Sequence, residues 1–405
     1  MESIHAFRTE CVWTRSDTDH RLHEAVLTSS QLLIPTEHGI TSVDLSNGHT
    51  RWQWNENHVR RGALWEHDHY VIVQQAWGMV VLLHKDTGKL IKRIELPHLH
   101  RVIEVHTMSA KNQEFILLLG ERGVAALLNS TSLQLEWIHQ GGVRGLAHYA
   151  LRDRTLVVLQ GNHLSRIDLF TGKILWTKQT PRLARSVLLH LNRVIILHTG
   201  SQWAQTIVRG LDLDTGELKE EVTLDGHHLG TSLIVNDDLW LVVERYQQPV
   251  IETLRGEQLQ PAWLKTLYPQ PRPMSPSLTV LSSCPREGLV LVQTGSEEVV
   301  TLQACDGKTI WRTEQQPLMR VPLKALVTDG VCFGLGGESL DIRRADSGRL
   351  LHRYTEFIDE PCLMFGCGAL DVLLGEHSPD DGSSTLWKVR YLPALRTAYT
   401  RSERR

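Results

Sequence analysis

Residues 167–179 read IDLFTGKILWTKQ. A run of alternating apolar residues enters a polar D-x-x-T-G turn at 168–172 and leaves through a second run carrying Trp176, four residues after Gly172. The turn has a physical cause. Glycine accepts a positive φ without a Cβ clash, Thr171 can bond the local backbone, and Asp168 can accept amide hydrogen bonds across the bend. The stretch predicts a β-hairpin with an aromatic residue at a fixed offset from its turn.

Taken with Gly172 as the anchor, the pattern recurs along the chain. DLSNGHTRW spans 44–52, with Asp44, Gly48 and Trp52 in matching places, and KDTGKLIK spans 85–92 around Gly88. NSTSLQLEW (129–137) keeps Trp137 but has Leu133 at the anchor. DLDTGELKE (212–220) supplies Asp212 and Gly216, ETLRGEQLQ (252–260) Gly256, QACDGKTIW (303–311) Gly307 and Trp311, and RADSGRLLH (344–352) Gly348. Anchors at 48, 88, 133, 172, 216, 256, 307 and 348 lie 40, 45, 39, 44, 40, 51 and 41 residues apart. A period of roughly 40 to 45 residues is that of a four-stranded propeller blade. The one long step contains the Pro-rich LYPQPRPMSP (267–276), read as a loop insertion.

Each period also holds two short apolar runs ahead of the hairpin, as in LAHYA, TLVVLQ, HLSRIDL and KILWTK between 146 and 178. Four strands divided by Gly, Asn and Asp turns argue an all-β chain. The tryptophans four residues past the anchor, Trp52, Trp137, Trp176 and Trp311, are expected to be buried between neighbouring units and to serve stability rather than ligand binding. After the last anchor, CLMFG, ALDVLLGEH and STLWKVRYL (362–392) supply only three strands. The segment ECVWTRS (10–16) resembles ILWTKQT (174–180), with Trp13 at the place of Trp176, and is predicted to be the missing fourth.

The fold expected is therefore a single β-propeller of eight or nine four-stranded blades, closed by pairing of the N-terminal strand with the C-terminal blade. In this reading the propeller occupies 1–395, with the closing strand at 10–16, eight in-line repeats over 20–357 and the last blade at 361–392. A basic tail at 396–405 is expected to be disordered or a docking peptide.

These residues resemble the quinoprotein-like propellers built from the pyrroloquinoline quinone (PQQ)-type repeat, whose tryptophan-docking motif reads roughly A-x-D-x-x-T-G-x-x-x-W. The match is fullest at Asp168, Thr171, Gly172 and Trp176, and good at Asp44, Gly48 and Trp52 and at Asp212, Thr215 and Gly216. The resemblance implies the fold more than the function, because one scaffold carries many activities. A quinone dehydrogenase of this type would be expected to show adjacent cysteines, an acidic and amide calcium site, a catalytic Asp and an export signal. Of the six cysteines (Cys11, Cys284, Cys305, Cys332, Cys362, Cys367) no two are adjacent, and the first residues, MESIHAFRTECVW, show no apolar export segment.

Composition narrows the remaining classes. A net charge of −3 over 405 residues, with scattered Lys and Arg, offers no electrostatic footprint for nucleic acid, and no apolar run is long enough to span a membrane. The cysteines form no CxxC and are read as small core residues in a reducing, cytoplasmic setting. Histidine-rich stretches at 65–70, 97–100 and 225–228 lack a closed metal-ligand spacing and are read as exposed polar loops. CFGLGGES (332–339) lacks the third glycine of a dinucleotide loop and reads as a hairpin turn, while the acids of EHSPDDG (376–382) read as a solvated loop. Asn129, Ser130 and Thr131 form a glycosylation sequon that no secretion signal accompanies.

No catalytic, cofactor-binding or metal-binding residue is assigned. The function expected is that of a non-enzymatic protein–protein interaction scaffold, a subunit of a larger bacterial cytoplasmic assembly whose partners are other proteins, not nucleic acid or membrane. The long loops at 267–276 and 377–384 are its expected recognition surface. Two alternatives stand beside it: a cofactor-dependent oxidoreductase with its site at the channel mouth, and an envelope-assembly scaffold.

Overall fold

The computed structural model describes residues 8–17, 25–267, 278–314, 324–354, 361–366, 371–377 and 384–392, apart from 29, 37, 57–58, 76–77, 97, 111, 142–145, 182–183, 201–204, 247, 285–287, 295–297, 329–330, 337–338 and 345. The described residues form an all-β chain without a helix, arranged as nine four-stranded antiparallel sheets. Eight sheets are in line, over 26–55, 59–95, 102–139, 147–179, 184–225, 227–266, 278–314 and 324–354. In the fourth, Ala147–Arg152, Thr155–Gln160, His163–Asp168 and Ile174–Gln179 pair in sequence order.

The second strand of an in-line sheet is apolar through its centre where both faces are covered, as in Thr155–Gln160, while a third strand such as His163–Asp168 keeps polar side chains. Strand side chains alternate between faces, so a strand sandwiched between two neighbouring sheets must be apolar at every position. Along Thr155–Gln160, Leu156 and Val158 pack with Phe115, Leu117 and Leu127 of the third sheet, whereas Val157 and Leu159 pack with Val187, Val194 and Ile196 of the fifth. Similar shared cores join the first sheet to the second, the second to the third, the fifth to the sixth and the sixth to the seventh. The outermost strands have one covered face at most and alternate, as in Leu90–Glu95.

The ninth sheet joins the two ends of the chain. Arg8–Asp17 pairs with Ser384–Leu392, which pairs in turn with Asp371–His377 and Pro361–Gly366. The closing strand is thus longer than the 10–16 expected. Trp13 lies opposite Lys388, as Trp176 lies opposite Arg166 in the fourth sheet; the burial expected for Trp13 lies outside the described side chains. Leu386 enters a core with Leu32, Ile34, Val43 and Leu45 of the first sheet, and the Nζ of Lys388 donates to the Leu45 carbonyl at 3.1 Å. Arg15 donates to the Gly48 carbonyl (3.2 Å) and the Thr50 hydroxyl (2.9 Å). On its other side, Pro361–Gly366 lies beside Lys324–Thr328 of the eighth sheet and Arg8–Asp17 beside Leu350–Tyr354.

Several sequence expectations are corrected. Cys305 is exposed on a turn rather than in the core. The histidine-rich stretches are not simply exposed loops: His67 and His228 are buried, His67 stacks on the Tyr70 ring at 5.3 Å, and His227–Val235 is a strand. Residues 268–276, 378–383 and the tail from 393 lie outside the described residues, as do 337–338 between the strands Val331–Gly336 and Ser339–Arg344.

Removing residues 1–17 deletes the outer strand of the ninth sheet and uncovers the edge of Ser384–Leu392. We expect the truncated protein to aggregate or to lose its single cooperative unfolding transition, whereas removing 397–405 should leave the transition unchanged; size-exclusion chromatography and thermal unfolding followed by circular dichroism measure both.

Candidate functional site

Seven of the eight in-line sheets end in a turn whose anchor amide donates to the carbonyl four residues earlier, and the residues of that turn are those that recur in the sequence. In the fourth sheet the Gly172 amide donates to the Asp168 carbonyl (2.9 Å), while the Asp168 carboxylate accepts from the amide (3.0 Å) and hydroxyl (2.8 Å) of Thr171. Asp212 holds Thr215 in the same way, at 2.9 and 3.1 Å, and the Gly216 amide donates to the Asp212 carbonyl at 2.9 Å. In the first sheet the Asp44 carboxylate accepts from the Ser46 amide (2.7 Å), and in the third Asn129 replaces the carboxylate, accepting from Thr131 and Ser132. Asn129 of the sequon is therefore buried and engaged in a turn.

Each turn receives a side chain from the preceding sheet. The indole Nε1 of Trp52 donates to Lys85 O (2.8 Å), that of Trp137 to Leu169 O (2.9 Å) and that of Trp176 to Leu213 O (3.0 Å), in each case the residue three before the next anchor. The rings lie flat over the anchor glycines. A Cβ on Gly88 would overlap Trp52, one on Gly172 Trp137, one on Gly216 Trp176, and one on Gly348 Trp311. Trp52 and Trp311 are buried, as expected, but Trp137 and Trp176 are only half-buried, because each outer strand keeps one side to solvent.

One anchor is misplaced in the sequence reading. A Cβ on Gly256 meets nothing within 4 Å, whereas Gly307 lies under Trp263. Trp263 pairs with Thr253 and Pro261 with Leu254 across a bulge, the register that Trp176 and Ile174 hold with Arg166 and Ile167. The true anchor is Leu259, at φ 51°, as Leu133 is at φ 55°. Trp263 is thus a fifth docked tryptophan, meeting the Trp240 ring edge-on at 4.7 Å. Counting four residues back from Trp263 would have found it, as it finds Leu133 from Trp137. In the second sheet a lysine stands in the tryptophan position: Lys92 Nζ donates to Leu133 O at 2.6 Å, a contact that no sequence motif announced.

The construction leaves a row of exposed aliphatic residues. Leu90, Leu135, Ile174, Leu218 and Leu350 each stand two residues past an anchor and are 41–52% exposed, with Ile91 and Leu175 beside two of them. Four of the five belong to consecutive sheets, the second to the fifth, so the outer rim there is apolar at each turn. Between the fourth and fifth sheets this rim opens into a cleft of about 360 Å³.

The described cysteines do not supply the adjacent pair expected of a PQQ and calcium site. Cys305 sits exposed on the anchor turn of the seventh sheet, and Cys284, Cys332 and Cys362 lie on strands of three different sheets. Among the described residues no three His, Cys, Asp or Glu side chains converge. Two buried carboxylates are held by arginines: Asp341 bridges Arg343 (2.9 Å) on its own strand and the exposed Arg353 (2.6 Å) on the next, and Asp238 binds the exposed Arg255 at 2.8 Å.

Comparison with known proteins gives the repeat its type. Residues 276–356 match the family described as outer membrane protein assembly factor BamB. The repeat is of the PQQ type. The crystal structure of the computationally designed Ika8 protein superposes with a TM-score of 0.53 at 12% identity, covering 80% of this chain and 95% of that one. BamB from Moraxella catarrhalis superposes with a TM-score of 0.48 at 15% identity, covering 94% and 97%. No curated protein sequence matches this chain. The PQQ-type turn and docked tryptophan are present in the chain well beyond residues 276–356, from Asp44 onward.

Two outcomes follow from the turns. Gly172 (φ 68°) and Gly256 (φ 66°) have the same backbone, but only Gly172 lies under a ring. Gly256→Ala should cost roughly 1–2 kcal/mol for the left-handed backbone, and Gly172→Ala a further ~1–3 kcal/mol for displacing Trp137; equal denaturation midpoints would contradict the reassigned anchor.

Acid should act through the same turns. Hydrogen bonds from the Ser46 hydroxyl and amide hold Asp44 below the ordinary carboxylate range, and the Thr215 amide does so for Asp212. Burial raises Asp168, but hydrogen bonds from Thr171 and the charge of Arg154 outweigh it and leave that carboxyl lowered too. Folded pKa values below the unfolded ones mean stability fully present above pH ~4 and lost as pH falls through the lowered values. Urea midpoints should therefore drop below pH ~4, and the drop should be shallower in Asp212→Asn.

Proposed function

We propose that the nine sheets are the blades of one closed propeller and that the protein is a non-enzymatic scaffold for protein–protein interaction. Support for closure comes from the ninth sheet, which contains both chain ends and touches the first and eighth sheets. The scaffold reading is carried by the outer rim, where the recurring turn glycines and tryptophans hold sheets together while aliphatic side chains two residues past the anchors remain exposed. Exposed apolar rows on a rigid frame are surfaces for partners. The PQQ-type repeat also occurs in the outer membrane protein assembly factor BamB family, whose description names an assembly role.

The setting we favour is a bacterial cytoplasmic assembly, which suits the free, exposed thiol of Cys305. An envelope-assembly scaffold is the second reading, favoured by the match of 276–356 to the BamB family. Cell fractionation separates the two.

Tagged protein expressed at native level should bring down one or more stoichiometric partners on affinity purification. A purified protein that is monomeric and alone in that experiment, and whose melting temperature rises with added PQQ and calcium, would replace the scaffold with the oxidoreductase, since a ligand that binds only the native state must stabilise it.

A further inference from the structure

The cleft between the fourth and fifth sheets combines an apolar floor with basic side chains. Ile196 and Leu211 form its base, Leu218 stands exposed at its lip, and Lys178, Arg209 and Glu217 line its walls, Arg209 being ion-paired with Glu221. The stem of Lys178 is fixed by packing over Gly216, with Cε 3.0 Å from the place of a Cβ there. Glu221 takes the Nε hydrogen of Arg209 at 2.6 Å. Thr180 also lines the cleft; it is 8% exposed, and its hydroxyl has no hydrogen-bond partner. The cleft volume is that of a small ligand site, above roughly 300 Å³.

Beside the cleft runs a strand edge. Ile174–Gln179 is the outermost strand of its sheet and pairs only with His163–Asp168, so its second edge presents backbone groups to a further strand. Its last residues, Lys178 and Gln179, line the cleft, and Ile174 and Leu175 at its start are exposed.

We propose that this edge and cleft bind an extended segment of a partner protein that adds a strand to Ile174–Gln179, drops an aliphatic or aromatic side chain onto Leu211 and Leu218, and presents a carboxylate to Lys178 and Arg209. Side chains on one face of a strand are two residues apart, so the motif is an apolar residue and an acidic residue at i and i+2. The backbone pairing supplies affinity, and the cleft with its two cations supplies selectivity. This inference rests on the scaffold reading and narrows it to one surface and one class of partner.

Random decapeptides displayed on phage and selected on the full-length protein test it. Enriched peptides should carry the apolar and acidic pair at i and i+2 and lack proline between them. The most enriched synthetic peptide, followed by fluorescence anisotropy, should bind at least tenfold more weakly to Lys178→Glu and to Leu218→Arg, both at exposed or half-exposed positions whose melting temperatures should match the parent. Exchanging the acid of the peptide for lysine should restore binding to Lys178→Glu. Absence of enrichment, enriched peptides without the pair, or affinity indifferent to both variants would overturn the proposal. Affinity purification with the same variants separates this failure from that of the scaffold: a partner retained by both variants sinks the cleft and leaves the scaffold, whereas no partner with the parent protein sinks both.

Discussion

The structure depends on one contact repeated around the chain: an indole from one sheet lying over the anchor glycine of the next and donating its N–H to a carbonyl of that turn. Trp52, Trp137 and Trp176 all make it in full. A sheet with two apolar faces cannot stand alone, so the fold needs a device that fixes how each sheet meets its neighbour. Apolar packing supplies the energy but is not directional. The indole hydrogen bond is directional, and the glycine under it admits only one depth of approach. Together they set the spacing between sheets.

That contact explains both the turn chemistry and its exceptions. The Asp and Thr of the turn hold the anchor carbonyls in place by hydrogen bonds to Thr171 and Thr215 amides, so the acceptor for the incoming indole is already positioned. Where an anchor is not glycine, the ring is absent from the sheet before it. Leu133 receives the lysine of Lys92, and Leu259 follows a repeat with Glu220 in the tryptophan position. Size explains the correlation: a Cβ at the anchor and a ring above it would occupy the same space.

The same geometry divides the rim into structure and surface. The anchor and the aromatic four residues after it meet neighbouring sheets, and the acid four residues before it is engaged within its own turn, leaving position two past the anchor turned outward. Leu90, Leu135, Ile174, Leu218 and Leu350 are the consequence. An aliphatic side chain at these positions adds little to the core.

The sequence by itself determined the all-β class, the four-strand period, the turn residues and the pairing of 10–16 with the last three strands, because each is a local pattern: alternation, a glycine in a polar turn, a tryptophan at fixed offset. It placed Asp44, Gly48, Trp52, Asp168, Gly172 and Trp176 in one construction, though it could not say that each tryptophan serves the next turn rather than its own. Only the tertiary structure decided that, along with the shift from Gly256 to Leu259, the lysine docking of Lys92 and Lys388, the exposure of Cys305 and the burial of His67 and His228. The cleft beside Leu218 was equally hidden. Its walls come from residues about 40 positions apart, Lys178 and Leu218, and no local pattern records which faces of two sheets will meet.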